Sequence, residues 1–466
     1  MNLFFSQNTK KTIMLSCCIF TASSIFISGN LQAASYFVDK NNPAANDSNN
    51  GSEGSPWATL VKAVETVVAG DDVTVKAGTY IDPRTSPFSD KGGYILDNDG
   101  AENNPITFRS EPPYTAIIQA KAAGSNPINR APAWFLIRND YVIIDGFTIK
   151  GMLRVKESTS VQLINNEILE GGQHGGDTSL YWGINLQDVT NSLVQNNYVH
   201  NLLDNGNNNH NAAGIMLNAG TTDNIVEGNT VDVRSSSVYS SYGTKGGKSN
   251  DNIWRNNLAI GNSAGFYLTS ASNNLSQPTG NVYRNNVMIL TGHAMEVNNN
   301  VASGNQVFNN SAYGVSAFFT ASNVSVTQQE LWNNIVVSTS KGLVNWGGYK
   351  FEGTPVLEFD SLFSLANWNN VTGGNYYAYR EASGTLTYSG VTLWQLGTDF
   401  GANSISIDPG FVNPGGTLAK DYKRNTYPAN GRGGEFEDVM GAYVSGIEKI
   451  GFLRAGVALP KPPVPE

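Results

Sequence analysis

The chain has 466 residues with 29 basic and 38 acidic side chains, and only 14% of its residues are charged. This acidic balance argues against a nucleic-acid partner, although a local basic cleft can still bind an acidic polysaccharide. The 49 glycines, with many Asn, Ser and Thr residues, disfavour long helices and favour turn-rich β structure.

Residues 1–33 are typical of a secretory signal peptide. A basic start precedes an apolar stretch at residues 13–27, and small residues surround Ala33. The stretch is short and interrupted by Ser and Thr, which disfavours a membrane anchor. We therefore expect cleavage near Ala33 and a secreted protein, extracellular or periplasmic. Cys17 and Cys18 would be removed with the signal, so the mature chain is expected to lack disulfides.

Apolar residues at helical spacing occupy residues 57–69 and end at Gly70. We predict a short helix there that caps the open N-terminal end of a solenoid, whose sheet edges would otherwise be exposed. Residues 34–80 then form the cap and first coil, and residues 81–445 form the body of the solenoid, with irregular coils and a cap at its end. Residues 446–466 form a Pro-rich C-terminal tail.

A repeated motif, one or two apolar residues followed by Asn-Asn or a close variant, occurs eight times in the middle of the chain. Its first polar residue stands at positions 145, 165, 196, 228, 256, 285, 309 and 333, so the step varies from 20 to 32 residues. A variable step suits a solenoid whose loops change length while its strands do not. Asn tolerates the left-handed turn conformation, and its amide can bond to the equivalent residue one coil away. The repeat predicts an all-β, right-handed parallel β-helix, because the signatures of leucine-rich repeats and propellers are both missing.

A second strand precedes most copies of the repeat and begins with Gly or Ala. Strand alternation directs one residue of each copy outward, and the predicted outward residues are Asn185, Met216, Lys245, Tyr267 and Glu296. Lys245 would thus be the neighbour of Tyr267. A lysine in a partly desolvated cleft can have a lowered pKa and act as a base, whereas a solvated surface lysine is the alternative.

Two arginines, Arg255 and Arg284, occupy the same place in neighbouring copies, and Glu227 precedes them by one copy. Stacked guanidinium groups repel each other unless an anion or a carboxylate lies between them. Either Glu227 balances this charge within the protein, or the arginines bind an anionic substrate. Further candidate substrate-binding residues around the same coils are Arg234, Lys248, His210 and Glu296.

Two stretches resemble secreted β-helix polysaccharide lyases. Tyr36-Phe-Val-Asp, Pro56-Trp-Ala-Thr-Leu and Ala77-Gly-Thr-Tyr look like the start of those enzymes. Gly243-Thr-Lys-Gly-Gly, followed by Arg255-Asn-Asn, resembles the catalytic coil of the family-nine pectate lyases. The resemblance implies β-elimination on an acidic, uronate-containing polysaccharide with Lys245 as the base. Tyr267 is our candidate for the acid, and water is the alternative.

The family-nine enzymes hold calcium with aspartates one coil before the lysine, where this chain has the Asn-rich residues 207–214. Calcium therefore stays an open question, and the group that neutralises the uronate carboxylate is either a cation or an arginine, Arg255 or Arg284. None of the four histidines shows a metal-ligand spacing. A glycoside hydrolase, a uronate epimerase and a non-catalytic carbohydrate-binding or surface protein are alternatives on the same scaffold. We expect a monomer without a membrane or nucleic-acid partner.

Overall fold

The structure is a computed structural model. It describes residues 33–84, 93–123, 126–130, 132–173, 181–202, 213–233, 237–243, 249–261, 264–270, 278–290, 292–298, 304–322, 329–339, 343–347, 363–367, 369–372, 377–381, 384–388, 404–406, 408–425, 440–443 and 448–452. The chain divides into two compact units, Met1–Gln32 and Ala33–Glu466, and every described residue belongs to the second. Within the described ranges, no helix has the length and apolar character needed to cross a membrane.

The elements follow in chain order. The first part of the chain contains β1 (Ser35–Val38), α1 (Leu60–Thr66), β2 (Asp72–Tyr80), β3 (Tyr94–Ile95), β4 (Ile106–Gln119), β5 (Ala122–Ala123), β6 (Asn126–Arg130), β7 (Trp134–Ile137), β8 (Val142–Asp145), β9 (Thr148–Lys150), β10 (Leu153–Thr159), β11 (Gln162–Ile164), β12 (Glu167–Leu169) and β13 (Gly172–Gln173). The middle contains β14 (Tyr181–Thr190), β15 (Leu193–Gln195), β16 (Tyr198–His200), β17 (Ala213–Leu217), β18 (Ile225–Glu227), β19 (Thr230–Val233), β20 (Ser237–Gly243), β21 (Ile253–Arg255), β22 (Leu258–Gly261), β23 (Phe266–Ser270), β24 (Val282–Arg284), β25 (Val287–Leu290) and β26 (His293–Asn298). The last part contains β27 (Gln306–Phe308), β28 (Ser311–Val315), β29 (Ala317–Ser322), β30 (Gln329–Trp332), β31 (Ile335–Ser338), β32 (Val344–Gly347), β33 (Phe363–Asn367), β34 (Asn370–Thr372), β35 (Tyr377–Glu381), β36 (Gly384–Tyr388) and a 3-10 turn at Ala419–Tyr422.

Two long sheets run the length of the molecule. In the described part of the chain, 21 strands form the larger sheet and 13 form the smaller one. A typical coil supplies one strand to the smaller sheet and two to the larger sheet. For example, β14, β15 and β16 make one coil, and each pairs in parallel with the corresponding strand of the next coil, β17, β18 and β19. The right-handed parallel β-helix predicted from the sequence is confirmed.

The predicted Asn-Asn corners join the two larger-sheet strands of a coil, and their two residues have different roles. The first residue adopts the left-handed conformation, with φ of +55° at Asn256, and Gly228 takes this position in one coil with φ of +65°. The second residue is buried and forms the ladder. Asn197 Nδ2 donates to Asn229 Oδ1 at 3.0 Å, and Asn229 Nδ2 donates to Asn257 Oδ1 at 3.1 Å. The ladder is confirmed, with the turn and the hydrogen bonding divided between neighbours.

A second asparagine ladder, which was not predicted, lies at the corner before the first larger-sheet strand in the coils that contain Asn224, Asn252, Asn281 and Asn305. Asn224 Nδ2 donates to Asn252 Oδ1 at 3.0 Å, and Asn252 Nδ2 donates to Asn281 Oδ1 at 3.1 Å. These side chains are fully buried, and they also satisfy backbone groups, as Asn252 Nδ2 does at Thr221 O. The two ladders hold successive coils in register. Because the register is fixed, the strand pairing tells which residues are neighbours on adjacent coils.

Helix α1 closes the N-terminal end of the coils, as the sequence predicted. Its residues 60, 63 and 64 are fully buried in the core that fills the coils. The observed helix is shorter than the predicted one because Thr59 acts as its N-cap. The Thr59 side chain accepts a hydrogen bond from Lys62 N at 3.2 Å, and the C-cap residue Val67 is already extended.

Residues 440–443 and 448–452, the C-terminal strap, pack on the outside of the larger sheet. Gly441 N donates to Asn333 O at 2.7 Å, whereas Gly451 N donates to Asn256 O at 2.9 Å. Asn256 lies three coils before Asn333, so the strap runs against the direction of the coils. With residues 405–406 and 408–422 it covers outward apolar side chains of the larger sheet, which are Tyr198, Leu258, Ile260, Val287, Ile289, Tyr313, Ile335 and Val337. The strap includes part of the stretch predicted as a tail, and its Ile450 is buried against the coils.

Candidate functional site

Outward side chains of the smaller sheet form a row along the coils. Ile184 and Leu186 belong to the interior core, so Asn185 between them points outward. The parallel register repeats this position from coil to coil. The resulting row, the outward column, comprises Phe135, Arg154, Asn185, Met216, Tyr267, Glu296 and Thr320, and the backbone of Ser240 holds the register position between Met216 and Tyr267. Neighbouring strands are about 4.8 Å apart, so this row is as long as several units of a sugar polymer.

Tyr267 and Glu296 occupy the predicted column positions. They are register partners on β23 and β26, and their exposed fractions are only 3% and 9%. Limited access to water strengthens the hydrogen bonds and charge interactions that such groups make with a ligand. The structure thus confirms their proximity, whereas their roles as acid and substrate ligand stay predictions.

Lys245 does not occupy the column position predicted for it. Met216 and Tyr267 both pair with Ser240, so Ser240 holds that position on β20. The prediction took Gly243 as the start of the strand, but Gly243 is its last residue. The Ser- and Tyr-rich sequence of β20 lacks the clear apolar alternation that would have defined the register. Lys245 itself lies outside the described residues.

Three other predicted substrate-binding residues, Arg234, Lys248 and His210, also lie outside the described residues. Their positions in the chain still relate them to the outward column. Arg234 stands three residues before β20, and Lys248 stands five residues after it. His210 stands three residues before β17.

Arg255 and Arg284 are neighbours in one column, as predicted, but this column belongs to the larger sheet. Glu227, Arg255 and Arg284 are successive register partners on β18, β21 and β24. Arg255 Nε contacts Glu227 Oε2 at 2.5 Å, so the internal ion pair that the sequence left as an alternative is formed. Burial lowers the pKa of the Arg284 guanidinium, and the neighbouring charge of Arg255 lowers it further. The structure does not bring these arginines into the outward column with Tyr267.

Arg154 and Asn185 lie side by side at the N-terminal end of the outward column. Arg154 is only 4% exposed, its Nη2 donates to Gln187 Oε1 at 3.2 Å, and its guanidinium carbon lies 4.9 Å from the centroid of the Phe135 ring. Asn185 is fully buried, and neither its Oδ1 nor its Nδ2 has a hydrogen-bond partner among the described residues. The same holds for Thr320 Oγ1 at the other end of the column.

Sequence reasoning missed Arg154 and assigned Asn185 no role. A usable signal was present, because Arg154 stands 31 residues before Asn185 and the ladder residues 165 and 196 differ by the same step. The strand that carries Arg154 does not begin with Gly or Ala. It therefore lies outside the set of strands that the predicted pattern identified.

The described part of the chain contains no evident calcium site. No group of three or more His, Cys, Asp or Glu side chains there is arranged to hold a metal ion. Of the Asn-rich residues 207–214, only Ala213 and Gly214 are described, and neither has a ligating side chain. We therefore assign no step to a metal.

A model of the family described as "Protein of unknown function (DUF1565)" matches residues 44–295, which is more than half of the chain. A comparison with curated proteins finds no match. Among solved structures, pectate lyase Pel9A is similar at 15% identity, over 68% of this chain and 78% of that chain, with a TM-score of 0.43. The alginate lyase from Paenibacillus sp. str. FPU-7 is 15% identical over 61% of this chain and 97% of that chain, with a TM-score of 0.37. The family 6 polysaccharide lyase Pedsa3628 from Pseudopedobacter saltans is 12% identical over 78% of this chain and 96% of that chain, with a TM-score of 0.39.

Proposed function

Because the chain belongs to the DUF1565 family of proteins of unknown function, we propose its function from its own site: it binds an acidic, uronate-containing polysaccharide along the outward column and cleaves it by β-elimination. The observation that carries this proposal is the column itself. It combines a buried cation, an amide, a phenol and a carboxylate in one register along parallel strands. A row of this kind suits a linear ligand that repeats polar groups at regular spacing.

The proposed chemistry uses a lysine base and a tyrosine acid. The neutral amine of Lys245 takes the proton from carbon 5 of a uronate unit, and the bond between carbon 4 and the glycosidic oxygen breaks. Tyr267 donates its phenolic proton to the departing oxygen, and a double bond forms between carbons 4 and 5. A positive charge beside the uronate carboxylate acidifies the carbon 5 proton, and Arg234 and Lys248 are the candidates for this role.

The position of Lys245 in the chain supports this assignment even without the predicted register. Gly243 pairs with Ser270, which is three residues beyond Tyr267 on the adjacent strand. Lys245 follows Gly243 by two residues in the sequence. Its place just after the strand that pairs with β23, and the resemblance of Gly243-Thr-Lys-Gly-Gly to the catalytic coil of the family-nine pectate lyases, support its assignment as the base.

We also propose that the protein acts as a secreted monomer. The signal-like residues 1–33 support export, and a polysaccharide substrate suits a location outside the cytoplasm. The monomer is proposed because a single chain contains the whole outward column.

The test is to incubate the protein with pectate, alginate and glycosaminoglycans and to follow the ultraviolet absorbance of the unsaturated sugar. We expect product with at least one polyanion. Lys245→Ala should lower the rate by at least about a hundredfold, since general-base catalysis contributes about 10²- to 10⁴-fold. Tyr267→Phe should lower it while leaving binding intact. Lys62→Ala, on helix α1, is the matched control and should be fully active.

Other products would identify the alternatives. Turnover without unsaturated ends but with new reducing ends indicates a hydrolase, and inversion at carbon 5 without cleavage indicates an epimerase. Binding without turnover, unchanged in Lys245→Ala, indicates a non-catalytic protein. Full lyase activity in Lys245→Ala contradicts the proposed base.

A further inference from the structure

Asn185 is a buried side chain whose hydrogen-bonding groups are unused. An amide carries two donors and an acceptor that takes two bonds, yet neither Asn185 atom is bonded to any described residue and the side chain is fully buried. Buried polar groups are almost always hydrogen-bonded, because losing their bonds to water is costly. Every ladder asparagine described above follows this rule, as Asn257 and Asn252 show. Asn185 is thus an exception that calls for a partner outside the protein fold.

Arg154 lies directly beside Asn185, one coil earlier in the same column. Its guanidinium is held in place by the Gln187 amide on one side and by the face of Phe135 on another. A guanidinium stays charged at all ordinary pH values and presents a planar fork of donors that matches a carboxylate.

We propose that Arg154 and Asn185 form a binding subsite for the carboxylate and an adjacent hydroxyl of a uronate unit, remote from the point of cleavage. Arg154 takes the carboxylate, and the Asn185 amide takes the hydroxyl or the ring oxygen. This inference rests on the proposed function and deepens it, because it names a residue pair that selects acidic sugars. Four register steps, each about 4.8 Å, separate Arg154 from Tyr267, so the subsite lies roughly 19 Å from the proposed acid.

Because the subsite is far from Tyr267, its contribution to binding should depend on the length of the ligand, which that of a catalytic residue would not. An oligosaccharide that is bound at Tyr267 and is too short to reach Arg154 cannot use the subsite, whereas a longer chain can. The contribution of Arg154 and Asn185 should therefore depend on ligand length and on the carboxylates of the ligand. A residue that merely supports the fold would affect short and long ligands equally.

The first measurement is thermal stability. Asn185→Leu removes polar groups that lack protein partners, so its melting temperature should equal or exceed that of the wild type. The matched control is Asn139→Leu. Asn139 is also buried, but its Nδ2 donates to Leu96 O at 3.0 Å and its Oδ1 accepts from Ile137 N at 3.0 Å, so its replacement should lower the melting temperature.

The second measurement is calorimetric binding of size-fractionated acidic oligosaccharides, the short ones two units long and the long ones six or more. Arg154→Lys should weaken binding of the long ligands by about tenfold or more, as expected for loss of a hydrogen bond to a charged group. Asn185→Leu should weaken it by about two- to tenfold, as expected for loss of a hydrogen bond between neutral groups. Binding of the short ligands should be unchanged. Carboxyl-reduced long ligands should bind the wild type and Arg154→Lys with equal affinity.

The outcomes separate this proposal from the proposed function. Binding that shows the expected length dependence without any cleavage supports the subsite and contradicts the elimination chemistry. Cleavage with the same length dependence in wild type and Asn185→Leu overturns the subsite alone. A melting temperature of Asn185→Leu as low as that of Asn139→Leu also overturns it, because Asn185 would then be a structural residue. Failure of every acidic oligosaccharide to bind overturns both.

Discussion

Adjacent asparagines at one corner of the coils differ in backbone conformation and in contacts. Asn256 has a φ of +55° and is partly exposed, whereas Asn257 is fully buried. Asn257 Oδ1 accepts from the backbone N and from Nδ2 of Asn229, and Asn257 Nδ2 donates to Val226 O and Asn286 Oδ1. The first position needs a residue that tolerates the left-handed region, and the second needs an amide.

This difference predicts that mutations at the two positions change the stability by different amounts. Asn257→Ala leaves several buried groups unsatisfied and should lower the free energy of unfolding by roughly 3 kcal/mol, since each such group costs about 1–3 kcal/mol. Asn256→Gly should change it by less than about 0.5 kcal/mol, because glycine adopts the left-handed conformation freely. Denaturant unfolding measures both values. Similar losses in the two variants would contradict the assigned roles.

At the scale of single elements, the C-terminal strap packs against strands that lie far from it in the chain. Gly451 has a φ of +69°, and a Cβ atom placed on it would lie 2.6 Å from Leu258 Cβ and 2.7 Å from Thr230 Oγ1. Glycine is therefore required by both the backbone conformation and the close approach to β19 and β22. Gly410 has a similar φ of +64°, but a Cβ there would meet nothing within 4 Å.

The pair of glycines predicts a graded loss of stability. Gly410→Ala should cost about 1–2 kcal/mol through the left-handed backbone alone. Gly451→Ala should add about 1–3 kcal/mol from overpacking and should loosen the strap. Limited proteolysis followed by mass spectrometry would detect earlier cleavage near residues 440–452 in Gly451→Ala. Equal cleavage and equal melting temperatures would show that the strap does not need this contact.

The outward column shows where the apolar alternation of a single strand predicts the register and where it does not. Tyr267 and Glu296 are correctly placed by the sequence, because Phe266, Leu268, Met295 and Val297 alternate with them and mark the inward face. In β20 the alternation is weak, and the prediction displaced the strand by five residues, so Lys245 took the place of Ser240. Alternation defines a register only where the inward residues are distinctly apolar.

At the scale of the whole molecule, each coil contacts chiefly its neighbours, so the two ends need separate protection. Helix α1 provides it at the N-terminal end, where Leu60 and Val64 are fully buried against the first coils. The strands beneath would otherwise present unpaired backbone groups to other molecules.

Displacing the cap should therefore cause association as well as instability. Val64→Asp buries an unpaired carboxylate and should detach α1 from the core. We expect a lower melting temperature and self-association beyond that of the wild type, measured by light scattering after size exclusion over a range of concentrations. Lys62→Ala on the same helix should behave like the wild type. A destabilised Val64→Asp that associates no more than the wild type would assign the cap a packing role only.

The sequence by itself determined the solenoid, the corner asparagines, the cap and the column of Glu227, Arg255 and Arg284. These features repeat locally, and in-register parallel pairing converts a sequence repeat directly into spatial neighbours. Only the tertiary structure decided that this arginine column lies on a different sheet from Tyr267, that Ser240 occupies the position predicted for Lys245, and that the strap returns along the coils. These features depend on loops of varying length and on contacts between residues far apart in the chain, such as Gly451 with Asn256. A local sequence pattern contains no information on the path of such loops or on such distant contacts.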